Sequence, residues 1–148
     1  MGSDLYAERA AALDSPTLAV DPAGIPALVS HRRRVLIADD HAIFRESLAQ
    51  LLQEFPGLEV VGSAENGLQA IELTAKLKPD IVVMDVGMPH LNGVEATRYI
   101  AKAYPQVRII GLSMHNQEAI AAEMLAAGAA VFFTKDGPLR ELLSAILN

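Results

Sequence analysis

The chain has 148 residues, 51% of them hydrophobic, and a formal net charge of −6. This length and hydrophobic content suit one well-buried domain with a tail, and the chain is too short for two domains of ordinary size. The acidic balance argues against a surface that binds the phosphate backbone of nucleic acids, and the absence of cysteine excludes a disulfide framework and a thiolate metal site. No apolar run approaches the roughly 20 residues of a membrane span, so we expect a cytoplasmic protein without membrane contact.

The first 32 residues show no long periodic pattern. They are rich in Ala and Pro, and only residues 5–13 have the spacing of a short helix. We predict that residues 1–32 form a flexible N-terminal extension and that the folded domain spans residues 33–148. The basic run at 31–34 is interpreted as a solvated flank, because runs of like charge are usually solvated.

From residue 35 onward, short apolar runs alternate with segments whose apolar residues fall at helical spacing. The apolar runs predict strands at 35–38, 58–64, 81–84, 108–113 and 131–135. The periodic segments predict helices at 42–55, 67–77, 93–104, 117–127 and 138–147, with Gly128 as the C-terminal cap of the fourth. Five strand–helix units with short connections require a parallel sheet with right-handed crossovers and helices on both faces. The predicted fold class is α/β, a (βα)5 doubly wound parallel sheet with the flavodoxin-like strand order 2-1-3-4-5.

Carboxylates stand at the ends of two predicted strands. Asp39 and Asp40 follow the first strand, and Asp85 ends the third, whose unbroken apolar run is typical of a strand buried on both faces. In the predicted order, ligands bind beyond the strand ends at the switch point between the first and third strands, so we expect the three carboxylates to converge there. Taken singly, Asp85 could form a turn with its own backbone, and Asp39 and Asp40 could cap the next helix.

Three carboxylates in one crevice repel one another, so they must raise a pKa, pair with cations or bind a metal. Ligands that are all oxygen, with no His or Cys expected near them, favour a hard ion, Mg2+, completed by waters and a backbone carbonyl. The carbonyl of Gly87, two residues past Asp85, is the candidate for that position.

Two further strand ends carry groups that suit phosphate. Lys135, at the end of the fifth strand, is a compact positive charge, and Ser113, at the end of the fourth, offers a hydrogen-bond donor. Together these residues predict a phosphoryl site in which Mg2+ and Lys135 neutralise the phosphoryl oxygens while one carboxylate attacks phosphorus and forms an acyl phosphate.

Taken together, the motifs resemble the receiver domain of two-component response regulators, over residues 33–148. They are Val-Leu-Ile-Ala-Asp-Asp-His at 35–41, Asp85 with Met88-Pro89 and Asn92-Gly93, Leu-Ser-Met-His at 112–115, Ala-Gly-Ala at 127–129 and Lys-Asp at 135–136. Within that family, the Asp-Asp-His, Met-His and Lys-Asp motifs are most similar to the NarL/FixJ (LuxR-type) transcription regulators.

The resemblance implies a role for each motif residue: the phosphoacceptor Asp85, the Mg2+ ligands Asp39 and Asp40, the phosphoryl-binding residues Ser113 and Lys135, and the aromatic switch residue Phe132. It also implies a sensor histidine kinase as phosphoryl donor and a homodimer formed on phosphorylation. DNA would be bound only through a C-terminal helix-turn-helix output domain, which is absent from this chain.

Four positions depart from the family pattern: Gly87 replaces a larger residue and opens the phosphoryl site to water, Val131 and Thr134 alter the packing around Phe132, and Asp136 follows Lys135 where the pattern has Pro. A Mg2+-dependent phosphatase or phosphotransferase is the alternative among enzymes, but such enzymes usually need a second acid where Gly87 stands. We therefore predict a signalling domain and no enzyme. A dinucleotide-binding domain is disfavoured because no G-x-G-x-x-G follows the first strand, and a receiver that binds partners without being phosphorylated stays open.

Overall fold

The structure, a computed structural model, describes residues 32–114 and 118–148, and before them only the backbone of two short strands. The chain divides into two units, Met1–Arg32 and Arg33–Asn148. In the first unit, Ala19–Val20 pairs antiparallel with Pro26–Ala27, which the sequence analysis did not predict. The predicted helix at 5–13 lies outside the described residues, and the flexible character of residues 1–32 stays a prediction.

Five strands of the second unit form one parallel sheet. They are β1 (Arg33–Ala38), β2 (Leu58–Ala64), β3 (Ile81–Asp85), β4 (Arg108–Ser113) and β5 (Val131–Thr134). The hydrogen-bonded order is β2-β1-β3-β4-β5, with every pair parallel. The predicted α/β fold with strand order 2-1-3-4-5 is confirmed.

Five helices follow the strands in turn. They are α1 (Ala42–Leu52), α2 (Gly67–Leu77), α3 (Gly93–Ala103), α4 (Glu118–Ala127) and α5 (Leu139–Leu147). The helix predicted to reach Phe55 ends three residues earlier, because Glu54 and Phe55 donate to carbonyls only three residues back and so close a tighter turn. In the part of the chain that the structure describes, every helix falls short of the length and apolar character of a membrane span.

The core lies on both faces of the sheet, because successive side chains of a strand point to opposite faces. On one face, Val35 and Ile37 belong to a cluster with buried residues of α1 and α5. On the other, Leu36 and Ala38 pack with buried residues of α2, α3 and α4. The central strand β3 is buried at all five positions, which explains its continuous apolar run.

Local signals set several helix ends. The side chains of Asn66 and Asn92 each accept a hydrogen bond from the backbone N–H three residues further along the chain, and so they cap α2 and α3. Gly128 has φ +124° and follows α4, so its predicted role as a C-terminal cap is confirmed. Only glycine adopts this φ without strain, and a Cβ at this position would also lie 2.4 Å from the Cβ of Ala101.

The interpretation of the basic run as a solvated flank is wrong for Arg33 and Arg34. The Arg33 guanidinium donates to the carbonyl of Ile146 at 2.9 Å, and the Arg34 guanidinium donates to the carbonyls of Leu77 and Lys78. The last carbonyls of a helix lack partners within the helix and carry partial negative charge. Two arginines of β1 therefore satisfy the C-terminal ends of α5 and α2.

Candidate functional site

The strand register brings the predicted site residues to one edge of the sheet. Ala38 of β1 pairs with Met84 of β3, so Asp39 and Asp85, one residue further along, lie side by side. On the other side of β3, Asp85 pairs with Leu112 of β4, which places Ser113 at the same edge. The sequence prediction that these residues converge is thus confirmed by their positions in the structure.

Lys135 completes the edge, just after β5. Its backbone N–H donates to the Ser113 carbonyl at 2.7 Å, and its side chain is only 5% exposed. The ammonium lies 2.7 Å from Asp39 Oδ2, 3.3 Å from Asp85 Oδ1 and 3.1 Å from His41 Nδ1. The Phe44 ring, whose centroid is 4.8 Å from Nζ, adds a cation–π contact. A residue type that is usually exposed is therefore held among carboxylates.

Burial and neighbouring charges together set the pKa of Asp85. The pKa of its carboxyl group is raised from 3.8 to about 6, mainly by burial and also by the charge of Asp39, while Lys135 acts to lower it. The residue is 2% exposed, and its Oδ2 atom has no hydrogen-bond partner among the described residues. Asp85 therefore carries a buried carboxylate oxygen that makes no hydrogen bond to the described residues, and the residue does not close a turn on its own backbone.

The alternative that Asp39 and Asp40 cap α1 is not supported. The N-cap residue is His41, and no side chain makes a cap hydrogen bond there. Asp39 Oδ1 accepts the backbone N–H of His41 at 2.8 Å, while its Oδ2 faces Lys135. Both oxygens of Asp39 are thereby fixed at the sheet edge.

Four side chains offer oxygen or nitrogen atoms that lie within 4.8 Å of one another: Asp39, Asp40, His41 and Asp85. The donors fit a divalent ion, because oxygen ligands dominate and Asp85 Oδ2 is buried without a partner. The expectation that no His lies near the ligands is wrong, since His41 Nδ1 is 3.1 Å from Asp39 Oδ1 and 3.4 Å from Asp40 Oδ1. Its place directly after Asp40 was the signal that sequence reasoning passed over.

A cavity of about 280 Å³ opens beside Asp85. Its lining includes His41, Gly87 and Ser113, together with Met114. A Cβ placed on Gly87 would have no atom within 4 Å, so the cavity is open at that point, as the small residue predicts. The role of the Gly87 carbonyl as a metal ligand stays a prediction.

The loop between β3 and α3 is held by two glycines that sequence reasoning did not assign to the site. Gly67 donates its N–H to the Leu91 carbonyl, and Gly93 donates to the Val86 carbonyl, both at 2.9 Å. A Cβ on Gly67 would lie 2.1 Å from the Leu91 oxygen, and one on Gly93 would lie 2.0 Å from the Asp85 oxygen. Only glycine permits these close approaches, and their sequence signal is a Gly at the first position of α2 and of α3.

Phe132 lies on β5, next to the strand that carries Ser113. It pairs with Gly111, and a Cβ at Gly111 would approach its ring to 2.9 Å, so the missing side chain makes room for the ring. Phe132 is half-buried against the cluster that contains Met124. The predicted neighbourhood of Ser113 and Phe132 is present, while switching stays a prediction.

Comparison with known proteins gives one family. Residues 35–147 match the family model of the response regulator receiver domain. The chain is 37% identical over 113 residues to the response regulator GacA of Pseudomonas viridiflava, an alignment that covers 76% of this chain and 53% of GacA. The chain therefore spans about half the length of this relative.

Two solved structures are similar over most of the chain. A two-component response regulator of the LuxR family from Aurantimonas sp. SI85-9A1 gives a TM-score of 0.74 at 38% identity, covering 78% of this chain and 83% of the other. The receiver domain of the putative response regulator NarL from Mycobacterium tuberculosis gives a TM-score of 0.75 at 32% identity, covering 79% and 94%.

Proposed function

The chain belongs to the response regulator receiver domain family, with relatives of the NarL and LuxR type, and from this premise we propose that a sensor histidine kinase transfers a phosphoryl group to Asp85. The phosphorylated domain then changes a surface that controls an output domain or a partner.

One observation carries this proposal: Asp85 lines the cavity, and its Oδ2 atom is buried without a hydrogen-bond partner among the described residues. Its environment suits the reaction, because the Lys135 ammonium is 3.3 Å from Oδ1 and Ser113 lines the same cavity. Lys135 would balance the charge of the phosphoryl oxygens, and the Ser113 hydroxyl would donate a hydrogen bond to one of them.

The transfer is a displacement at phosphorus. An oxygen lone pair of Asp85 forms the new O–P bond while the N–P bond of the phosphohistidine breaks, and the departing imidazole nitrogen keeps the electron pair. The nucleophile must be ionised, so the raised pKa of about 6 leaves most of Asp85 competent at neutral pH. No proton has to be removed from Asp85 during the step.

The metal in this proposal is Mg2+, held by Asp39, Asp40, Asp85 and the carbonyl of Gly87. When bound, the ion neutralises charge on the phosphoryl oxygens. The crowded carboxylates of the site give the ion its binding energy, since their mutual repulsion is relieved when it arrives.

The domain is proposed to be a phosphoacceptor and not a turnover enzyme. Gly87 provides no acid two residues after Asp85, so the domain would phosphorylate itself from small donors and hydrolyse the acyl phosphate only slowly. We further propose a cytoplasmic location, a homodimer on phosphorylation and DNA binding through a helix-turn-helix output domain outside these residues.

Intact-mass measurement after incubation with a small phosphodonor and Mg2+ tests the proposal. The wild-type chain should gain one phosphoryl group, and Asp85→Asn should gain none, because the amide keeps the shape and loses the nucleophile. Asp136→Asn is the matched control, since Asp136 is exposed and outside the donor cluster, and it should be phosphorylated normally. An equal mass gain in Asp85→Asn would refute the assignment.

A further inference from the structure

His41 is the member of the donor cluster that the proposed function does not use. Its Nδ1 atom lies 3.1 Å from Asp39 Oδ1 and 3.4 Å from Asp40 Oδ1. Two ligands at about 2.1 Å from an ion, on adjacent octahedral positions, are roughly 3.0 Å apart. The spacing of the imidazole nitrogen from its neighbours is therefore close to that of two ligands on one ion.

The contacts of His41 show which ring nitrogen faces the donor cluster. Nδ1 lies 3.1 Å from the Lys135 ammonium, which itself contacts Asp39 Oδ2 and Asp85 Oδ1. The backbone N–H of His41 donates to Asp39 Oδ1 at 2.8 Å and so fixes the residue beside the cluster. Nδ1 is therefore the ring atom that is positioned to bind an ion at this place.

The ammonium thus acts as a stand-in for a metal ion. Two carboxylates and one imidazole nitrogen turn toward the same cation, and an imidazole nitrogen is the commonest metal ligand among protein side chains. A second observation points to a ligand at this place: Asp85 Oδ2 is buried and has no hydrogen-bond partner in the described part of the chain.

We propose that His41 is a further protein ligand of the metal site, through Nδ1, and that it shifts the preference of the site from Mg2+ toward borderline ions such as Zn2+. Mg2+ prefers oxygen ligands, whereas imidazole suits the later transition metals. The proposal rests on the metal site described under the proposed function and adds to it a ligand and a selectivity.

His41→Asn is the informative variant. Asn is a favoured N-cap residue, so α1 should keep its start, and the backbone N–H to Asp39 is retained. Asn offers at best an oxygen, which removes the nitrogen ligand without disturbing the carboxylates. His90→Asn is the matched control, because His90 is exposed and has a positive φ of 66°, which Asn tolerates.

Pulsed electron paramagnetic resonance of the Mn2+-loaded chain identifies the ligand, because a coordinated imidazole nitrogen modulates the spin echo. We expect this nitrogen signal in the wild type and in His90→Asn and its loss in His41→Asn. Calorimetric titrations with Zn2+ and Mg2+ should show that the Zn2+-to-Mg2+ affinity ratio falls by at least about tenfold in His41→Asn. Removing a residue that only supports a metal ligand already lowers metal affinity by about 10- to 100-fold, so removing a ligand should cost no less.

The outcomes separate the inference from the metal site itself. If Mn2+ binds to the wild type without a nitrogen signal, or if the signal persists in His41→Asn, His41 is not a ligand and only the carboxylate site survives. An unchanged affinity ratio in His41→Asn overturns the selectivity. If none of the three ions binds to the wild type, both the inference and the metal site of the proposed function are overturned.

Discussion

Lys135 and Asp39 form the ion pair at the centre of the site, with 2.7 Å between Nζ and Oδ2, and both side chains are almost completely buried. The cation from the end of β5 reaches across β4 and β3 to an acid that follows β1. In the absence of a divalent ion, Lys135 therefore supplies the positive charge that the buried carboxylates require.

Lys135→Met should destabilise the metal-free domain, because it leaves Asp39 and Asp85 buried without their cation. Breaking a buried ion pair costs about 3–5 kcal/mol, and urea unfolding without metal measures the loss. Mg2+ should restore more of the free energy of unfolding in Lys135→Met than it adds to the wild type. Lys102→Met on the exposed side of α3 is the control and should change little. Equal losses in both variants would contradict the role of Lys135.

Asp85→Asn should stabilise the metal-free domain at pH 7.5. The folded-state pKa of about 6 exceeds the ordinary 3.8, so the folded chain binds the proton more tightly and ionisation of Asp85 costs stability. That cost is absent below about pH 4, grows as pH rises, and is complete above about pH 6. At about 1.4 kcal/mol per pKa unit, the gain in Asp85→Asn is at most about 3 kcal/mol. Urea unfolding at pH 7.5 and pH 4 should show the gain only at pH 7.5, and a pH-independent difference would disprove this account.

Asp40→Ala should weaken Mg2+ binding by about tenfold or more and leave the fold intact. The Asp40 side chain is 32% exposed, so its removal opens no core cavity and relieves repulsion among the acids. Calorimetric titration with Mg2+ and thermal unfolding give the two readouts. Asp136→Ala is the control for loss of one negative charge near the site. If the Mg2+ affinity of Asp40→Ala equals that of the wild type, Asp40 is not a metal ligand.

Gly87→Ala and Gly93→Ala should differ sharply in stability. Position 87 has no atom within 4 Å of a new Cβ, whereas position 93 would force a Cβ to 2.0 Å from the Asp85 carbonyl oxygen. We expect Gly87→Ala to stay within about 0.5 kcal/mol of the wild type and Gly93→Ala to lose about 1–3 kcal/mol. Thermal unfolding of the two variants side by side makes the comparison. Similar stabilities would mean that the loop after β3 moves freely.

Ser113→Ala should still accept a phosphoryl group at Asp85 but should respond less to it. The proposed switch requires phosphate to interact differently with two conformations of the domain, and the Ser113 hydroxyl supplies part of that difference through a hydrogen bond. Intact mass measures phosphorylation, and analytical ultracentrifugation measures self-association with and without the phosphodonor. Should the phosphorylated variant associate as fully as the wild type, signalling from Ser113 to Phe132 is refuted.

The sequence by itself determined the elements and their order. The apolar run at 81–84 followed by Asp85, the helical spacing from residue 42 and the Pro and Gly breakers are local patterns, and local patterns reflect the periods of strand and helix. Alternation of five strands and helices then limits the topology to a few arrangements. Because parallel strands end at one edge, the convergence of Asp39, Asp85, Ser113 and Lys135 followed from the sequence as well.

Only the tertiary structure decided the distances and directions of side chains within that edge. The contact between Lys135 and His41 joins residues 94 positions apart, and the raised pKa of Asp85 depends on burial by neighbours that no local pattern specifies. Likewise, Arg33 and Arg34 have the sequence pattern of a solvated run, and only the tertiary structure brings the helix ends that they bind next to them. Sequence patterns report which face a residue lies on, while hydrogen bonds, ion pairs and pKa shifts depend on ångström separations set by packing between distant segments.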